Sequence, residues 1–155
     1  MKKLLFICFA ALGMAGCKTK NTEPGIPVEV RAEKEAWKII KQEQTGGRVK
    51  AGNELITSQE ALTKLYSELN LTDVPVIDFK NKNVVALFFG EKRTGGYSIS
   101  VEDVVVENYR AEVKILKGYP EAGGMVTMMI TSPYCIAVIT KAKETVFVQD
   151  PPPAK

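Results

Sequence analysis

The stretch VVALFFGEKRTGGYSISV, residues 84–101, carries the clearest strand signals in the chain. Its first six residues, VVALFF, are all apolar, so a strand made of them would have apolar side chains on both faces. This pattern predicts a central strand covered on both faces. In YSISV, apolar residues alternate with serines, which predicts a strand covered on one face only. Between these strands, Gly95 and Gly96 permit the positive φ that a tight hairpin turn needs.

One helix is predicted before this stretch, from about Ser58 to Leu69. Thr57 and Glu60 form a T-x-x-E capping box, and Ser58 is an alternative cap. Beyond the cap, apolar residues recur at i, i+3, i+4 and i+7, which predicts a single buried stripe made of Leu62, Leu65, Tyr66 and Leu69.

The remaining apolar segments predict further strands. AWKIIKQEQ and RVKAGNELI, on either side of residues 45–47, are predicted to pair as a first hairpin. After the central stretch, EVKIL, MVTMMIT, CIAVIT and TVFV are each typical of a strand. We therefore predict an α+β fold, with a mainly antiparallel sheet, small barrel or sandwich and one packed helix. The glycine-rich loops 91–96 and 119–124 are expected to join neighbouring strands of a meander.

Residues 1–16, MKKLLFICFAALGMAG, have the layout of a secretory signal peptide, with two lysines, an apolar run and small residues. The segment LGMAGC resembles the bacterial lipobox, which implies cleavage before Cys17 and acylation of that residue. The alternative is an ordinary signal peptide that contains a cysteine. Lys18 is not the aspartate associated with inner-membrane retention, so we expect anchoring in the outer membrane, on its periplasmic or surface face.

The predicted lipid anchor divides the precursor into four parts. Residues 1–16 are the signal peptide, and residues 17–27 are the lipidated cysteine and a flexible Pro/Gly-containing tether. Residues 28–148 form a single α+β domain, and residues 149–155 are a proline-rich tail that is kept out of any sheet.

The composition excludes several classes of function. The chain has no histidine, so it lacks the commonest general base and neutral metal ligand, and no cysteine cluster exists for zinc. The formal charge of +3 includes two lysines of the predicted signal peptide, which gives no case for nucleic acid. We predict a protein that is not an enzyme and has no cofactor, metal or small-molecule ligand, although a Ser-Lys pair using Ser98 or Ser132 stays open. Cys135 lies in an apolar run and is expected to be a buried free thiol.

Three segments combine glycine or proline with an aromatic residue: RTGGY, GYPEAGG and TSPY. Exposed aromatics on glycine-rich loops are typical of binding surfaces, whereas the simpler interpretation is that these segments are only turns. The candidate contact residues for a protein partner are Arg93, Thr94, Gly95, Gly96, Tyr97, Pro120, Gly123, Gly124, Pro133 and Tyr134.

From about Val84 to Val148 the chain resembles the C-terminal domain of PrcB. The residues that carry the resemblance are VVALFFGEKRTGGYSISV, the P-x-x-G-G of residues 120–124, and TSPYCIAVI, in the family's order. That domain is named for a lipoprotein subunit that associates with and stabilises a subtilisin-like surface protease. The resemblance implies a lipid-anchored, non-catalytic binding module, an accessory or stabilising subunit for a secreted protease.

TGGY, EAGG and SPY are also similar, in order, to the three loops of chagasin-type inhibitors of cysteine proteases. Lys92-Arg93 stands where that family has Asn-Pro, and Tyr134 stands where it has tryptophan. This similarity implies an alternative function as a protease inhibitor. A structural envelope lipoprotein without a dedicated partner is the third hypothesis.

Overall fold

The computed structural model describes residues 36–149, which lie within the compact unit Ala32–Lys155. The predicted signal peptide, Cys17, the tether and the tail from residue 150 lie outside the described residues. The described elements are, in chain order, β1 (Trp37–Glu43), β2 (Gly52–Ile56), α1 (Gln59–Glu68), β3 (Lys82–Phe88), β4 (Ser98–Glu107), β5 (Arg110–Gly118), β6 (Tyr134–Thr140) and β7 (Glu144–Gln149). Gln149, which we placed in the tail, is therefore the last residue of a strand.

The strands form two sheets. Sheet 1 has the order β1-β6-β3-β2 with every neighbouring pair antiparallel. Sheet 2 has the order β4-β5-β7, in which β4 and β5 are antiparallel and β5 and β7 are parallel. Helix α1 packs on one face of sheet 1 and sheet 2 packs on the other. The predicted α+β class, with a mainly antiparallel sandwich and one packed helix, is confirmed for residues 36–149.

Strand β3 shows why its sequence is apolar in both rows. Val85 and Leu87 face sheet 2, whereas Val84, Ala86 and Phe88 face α1. All five side chains are nearly inaccessible to solvent. The prediction of a central strand covered on both faces is therefore confirmed.

Helix α1 buries the predicted apolar stripe against sheet 1. Ser58 is the N-cap, and its hydroxyl accepts a 3.2 Å hydrogen bond from the backbone N–H of Ala61. The alternative cap was therefore right and Thr57 was wrong. A capping box from Ser58 would need an acidic residue or glutamine at position 61, and Glu60 lies one residue too early.

The strand pairing differs from the sequence prediction in two places. β1 and β2 do not form a hairpin, because they lie at opposite edges of sheet 1, beside β6 and β3 respectively. β3 and β4 are not neighbours in a meander either, since they belong to different sheets. The connections 89–97 and 119–133 therefore cross from one sheet to the other, and both do so at the same end of the sandwich.

Candidate functional site

The two sheet-crossing connections, residues 89–97 and 119–133, lie against each other and are called the loop pair below. Lys92 and Thr131 exchange both backbone hydrogen bonds, at 2.7 and 2.9 Å. The N–H of Gly95 donates to the carbonyl of Thr127 at 2.9 Å, and the hydroxyl of Thr131 donates to the carbonyl of Thr94 at 2.9 Å. The first two predicted contact segments therefore form one surface.

The adjacent glycines permit this close approach. Gly96 has a φ of 88°, and a Cβ there would lie 2.9 Å from the Cβ of Pro120. A Cβ on Gly95 would collide with the side chain of Thr127, although the φ of Gly95 is not positive. Gly96 thus uses the positive φ that glycine permits, whereas Gly95 does not. The glycines are needed for loop-to-loop packing rather than for a hairpin.

Three aromatic rings close the sandwich at the loop pair. Phe89 contacts Tyr97 and Tyr119 edge to face, with centroids 5.7 and 5.5 Å apart, and the two tyrosines are 6.2 Å apart. Phe89 continues the inward row of β3, and Tyr97 continues the inward row of Ile99. This aromatic cluster is therefore the end of the core between the sheets, with Tyr119 partly exposed beside it.

Two lysines lie over the aromatic cluster. The Nζ atom of Lys92 is 4.4 Å from the ring centroid of Phe89, and that of Lys117 is 5.1 Å from the same centroid. Lys117 also donates a 2.8 Å hydrogen bond to the side-chain oxygen of Gln149. Burial lowers the pKa of the Lys117 ammonium, and the nearby charge of Lys92 lowers that pKa further. Two like charges therefore lie close to one buried ring.

The segment 125–130, MVTMMI, is apolar but exposed. Met125 and Met128 expose 104% and 89% of their surface, and Met129 and Ile130 are exposed as well. The prediction of a strand at MVTMMIT is wrong, because these residues join no strand ladder. Only Val126 turns inward, toward Gly96. Exposed neighbouring apolar side chains of this kind are typical of an interaction surface.

The predicted contact residues divide into three groups by exposure. Arg93, Gly96, Gly123 and Gly124 are exposed, and Thr94, Tyr97 and Pro120 are half-buried within the loop pair. Gly95, Pro133 and Tyr134 are buried. The part of Thr94 used in the loop pair is its carbonyl, which accepts from Thr131.

Tyr134 needs a correction, since it was predicted as a surface aromatic and is only 1% exposed. It is the first residue of β6, and its ring stacks on Phe88 at a centroid distance of 6.4 Å on the helix side of sheet 1. Burial raises the pKa of its hydroxyl. Tyr134 therefore stabilises the core and offers no contact area, and the buried Pro133 offers none either.

Sequence reasoning missed several residues of this surface: Phe89, Lys92, Lys117, Met125, Met128 and Met129. It noted Tyr119 only as the aromatic residue of GYPEAGG. A signal existed for Lys117, because it continues the inward row of Val113 and Ile115 in β5. A lysine in a core-facing row at a strand end predicts a cation near a buried ring. No comparable signal distinguishes the exposed methionines from core residues.

Chemical groups suited to catalysis are sparse in the described part of the chain. Residues 36–149 contain no group of three or more histidine, cysteine or acidic side chains that could hold a metal ion. Cys135 is a buried free cysteine, as predicted, and burial raises the pKa of its thiol. Within the same residues, no helix has both the length and the apolar character needed to cross a bilayer.

Fold and surface together define an α+β sandwich domain whose distinctive feature is a loop surface at one end. Residues 83–140 match the family model described as PrcB C-terminal. The match runs from β3 to β6 and includes the whole loop pair, so the resemblance predicted from the sequence is confirmed over these residues. Searches of curated proteins and of solved structures gave no match.

Proposed function

We propose that this protein is a non-catalytic binding subunit that docks on a secreted protease, or on another envelope protein, through the loop pair. The observation that carries the proposal is the exposed apolar segment 125–130, held on the glycine-packed loops inside the region that matches the PrcB C-terminal family. Methionine side chains adapt to an irregular partner surface better than branched ones, which suits a docking role.

The proposal includes the lipid anchor. Acylation of Cys17 would hold the domain at the outer membrane through the tether, where a secreted protease is accessible. Cys17→Ser is expected to move the chain from the detergent phase to the aqueous phase, or to leave an uncleaved precursor. Identical phase partitioning of the two forms would contradict anchoring without affecting the docking proposal.

The non-catalytic role is supported by the missing histidine and by the buried position of the one described cysteine. The inhibitor hypothesis needs a third surface loop at Ser132 to Tyr134, where Pro133 and Tyr134 are buried. For that reason we do not adopt it.

Site-specific photocrosslinking in the native host tests docking. A photoreactive residue at Met128 should crosslink to one protein, identified by mass spectrometry, that has a protease domain or is an envelope protein. The matched control is Tyr109, which is 72% exposed in the β4–β5 turn at the opposite end of the sandwich. Equal crosslinking at both positions, or none at Met128, would contradict docking through the loop pair and favour a structural lipoprotein.

A further inference from the structure

We propose that the aromatic cluster and its two lysines receive a carboxylate, from an aspartate or glutamate in a partner segment whose neighbouring apolar side chains lie on residues 125–130. This inference rests on the proposed function and specifies the chemistry of the segment that docks.

The position of the lysines is the first argument. Lys92 and Lys117 are half-buried and share the ring of Phe89, and Lys92 also lies 5.7 Å from the ring of Tyr97. The rings fix where the two ammonium groups lie, but they cannot neutralise them. A carboxylate that reaches these ammonium groups would offset their mutual repulsion and accept a charge-assisted hydrogen bond from each lysine it contacts.

The second argument is the absence of a balancing charge nearby. Among residues 36–149, no carboxylate lies within 4.0 Å of the Nζ atom of Lys92 or of Lys117. The hydrogen-bond partner that Lys117 does have, Gln149, is neutral. The described fold therefore leaves two partly desolvated cations for an external group to pair with.

The third argument identifies the occupant as a peptide segment rather than a lipid surface. The same loops expose Glu91 and Glu121 as well as Arg93, so a layer of anionic headgroups would meet charges of both signs. A single carboxylate on an extended segment can reach the lysine pair and avoid the glutamates. Thr127 and Thr131 tie the methionine segment to the loop that carries Lys92, so apolar neighbours of that carboxylate have a surface to cover.

A pair of peptides tests this chemistry on the full-length chain purified in detergent. The probes are acetyl-Gly-Leu-Asp-Leu-Gly-amide and its Asn counterpart, titrated at low ionic strength while the methionine methyl NMR signals are recorded. The Asp peptide should shift the signals of Met125, Met128 and Met129 saturably. The Asn peptide should bind with an affinity at least about tenfold lower. Equal binding of the two peptides, or no binding of either, would overturn the inference.

Lysine variants locate the contact. Lys92→Gln and Lys117→Gln should each lower the affinity for the Asp peptide about tenfold. Lys143→Gln is the matched control, because Lys143 also lies over one tyrosine ring, 4.7 Å from the centroid of Tyr109, but at the opposite end of the domain. Asp150→Asn is a second control, since that residue follows Gln149 outside the described residues. Tighter peptide binding by Asp150→Asn would show that the chain's own carboxylate competes for the lysines and would support the site.

Two further outcomes separate this inference from the docking proposal. If the Met128 crosslink to the partner persists unchanged in both lysine variants, docking stands and the carboxylate contact is wrong. If vesicles of phosphatidylglycerol shift the methyl signals in a lysine-dependent way and the Asp peptide does not, the site binds headgroups and the peptide inference fails.

Discussion

Two apolar segments lie four residues apart in the chain and have opposite environments. Residues 134–139, YCIAVI, are fully buried at the centre of sheet 1, whereas residues 125–130, MVTMMI, are almost entirely exposed. Their compositions are similar, so hydrophobicity does not explain the difference. The buried segment pairs with a strand on each side. The exposed segment is instead held by loop contacts, in which Thr127 accepts a backbone hydrogen bond from Gly95 and the adjacent Thr131 pairs with Lys92. Backbone pairing, more than side-chain character, determines which segment enters the core.

The largest effect is expected from the buried segment. Ile136→Ala should lower the free energy of unfolding by about 2–5 kcal/mol, because the side chain is inaccessible and packs between α1 and sheet 1. Chemical denaturation followed by the fluorescence of Trp37, the single tryptophan, measures this. A loss below about 1 kcal/mol would mean that β6 is not the packed centre of the domain.

The second-largest effect is expected at Gly96, where the two loops pack closely against each other. Gly96→Ala places a side chain at a φ of 88° and against Pro120, and we expect a cost of about 1–3 kcal/mol. Gly123→Ala is the control, because Gly123 has a φ of 77° but nothing within 4 Å of the added Cβ. Equal losses in the two variants would show that only the backbone conformation matters and that the loops do not pack tightly.

A smaller effect concerns Arg48, which lies over a ring of β3, the strand beside the buried segment. Arg48 lies 4.5 Å over the ring of Phe88 and forms paired hydrogen bonds with Glu68, at 2.6 and 2.8 Å. The hydrogen bond from Arg48 lowers the pKa of the Glu68 carboxyl. The stabilisation that this ion pair gives to the fold is therefore present above the unfolded-state pKa of about 4.3, and it is lost as the pH falls through the lower folded-state pKa.

Glu68→Gln should therefore remove about 0.2–1 kcal/mol at neutral pH, the range for exposed pairs, and much less at pH values below the folded-state pKa. Denaturation curves at neutral and acidic pH measure the difference between the two chains. A loss that is the same at both values would indicate a packing effect rather than the ion pair.

The smallest effect is expected in the exposed segment. Met128→Ala should change stability by less than about 0.5 kcal/mol, because the side chain is 89% exposed. The same variant should weaken capture of the partner identified by crosslinking. A stability loss comparable to that of Ile136→Ala would show that the segment is packed in solution, and the contrast between the two segments would disappear.

Local patterns in the sequence were sufficient for most of the elements, although MVTMMIT, predicted as a strand, belongs to a loop. The double apolar row of residues 84–88 identified the centre of sheet 1, and the i, i+3, i+4, i+7 spacing identified the buried face of α1. Both patterns show which side chains are buried, whichever element of the fold covers them, so they can be recognised without knowing how the elements pack together. Pairing could not be predicted in the same way, because β1 and β2 are close in sequence but belong to opposite edges of sheet 1.

The candidate site was only partly predictable for the same reason. The glycines of the loop pair were visible as turn residues, but their contacts with Pro120 and Thr127 depend on two connections that meet in space. Tyr134 was misplaced because Ser-Pro before an aromatic residue is typical of a loop, whereas here the strand begins at that residue. The one signal for the charged part of the surface was the position of Lys117, which follows Val113 and Ile115 in the core-facing row of β5.

The position of β6 between β1 and β3 has a consequence for the order in which the domain assembles. The strand that joins the two halves of sheet 1 is its last in sequence, and Trp37 must find Ile139 across most of the domain. Such long-range pairing is slow, on the order of milliseconds to seconds for β-rich domains of this kind. Until β6 inserts, β3 presents an apolar open edge to other chains. A chain truncated before residue 134 would retain that edge permanently and should aggregate rather than fold.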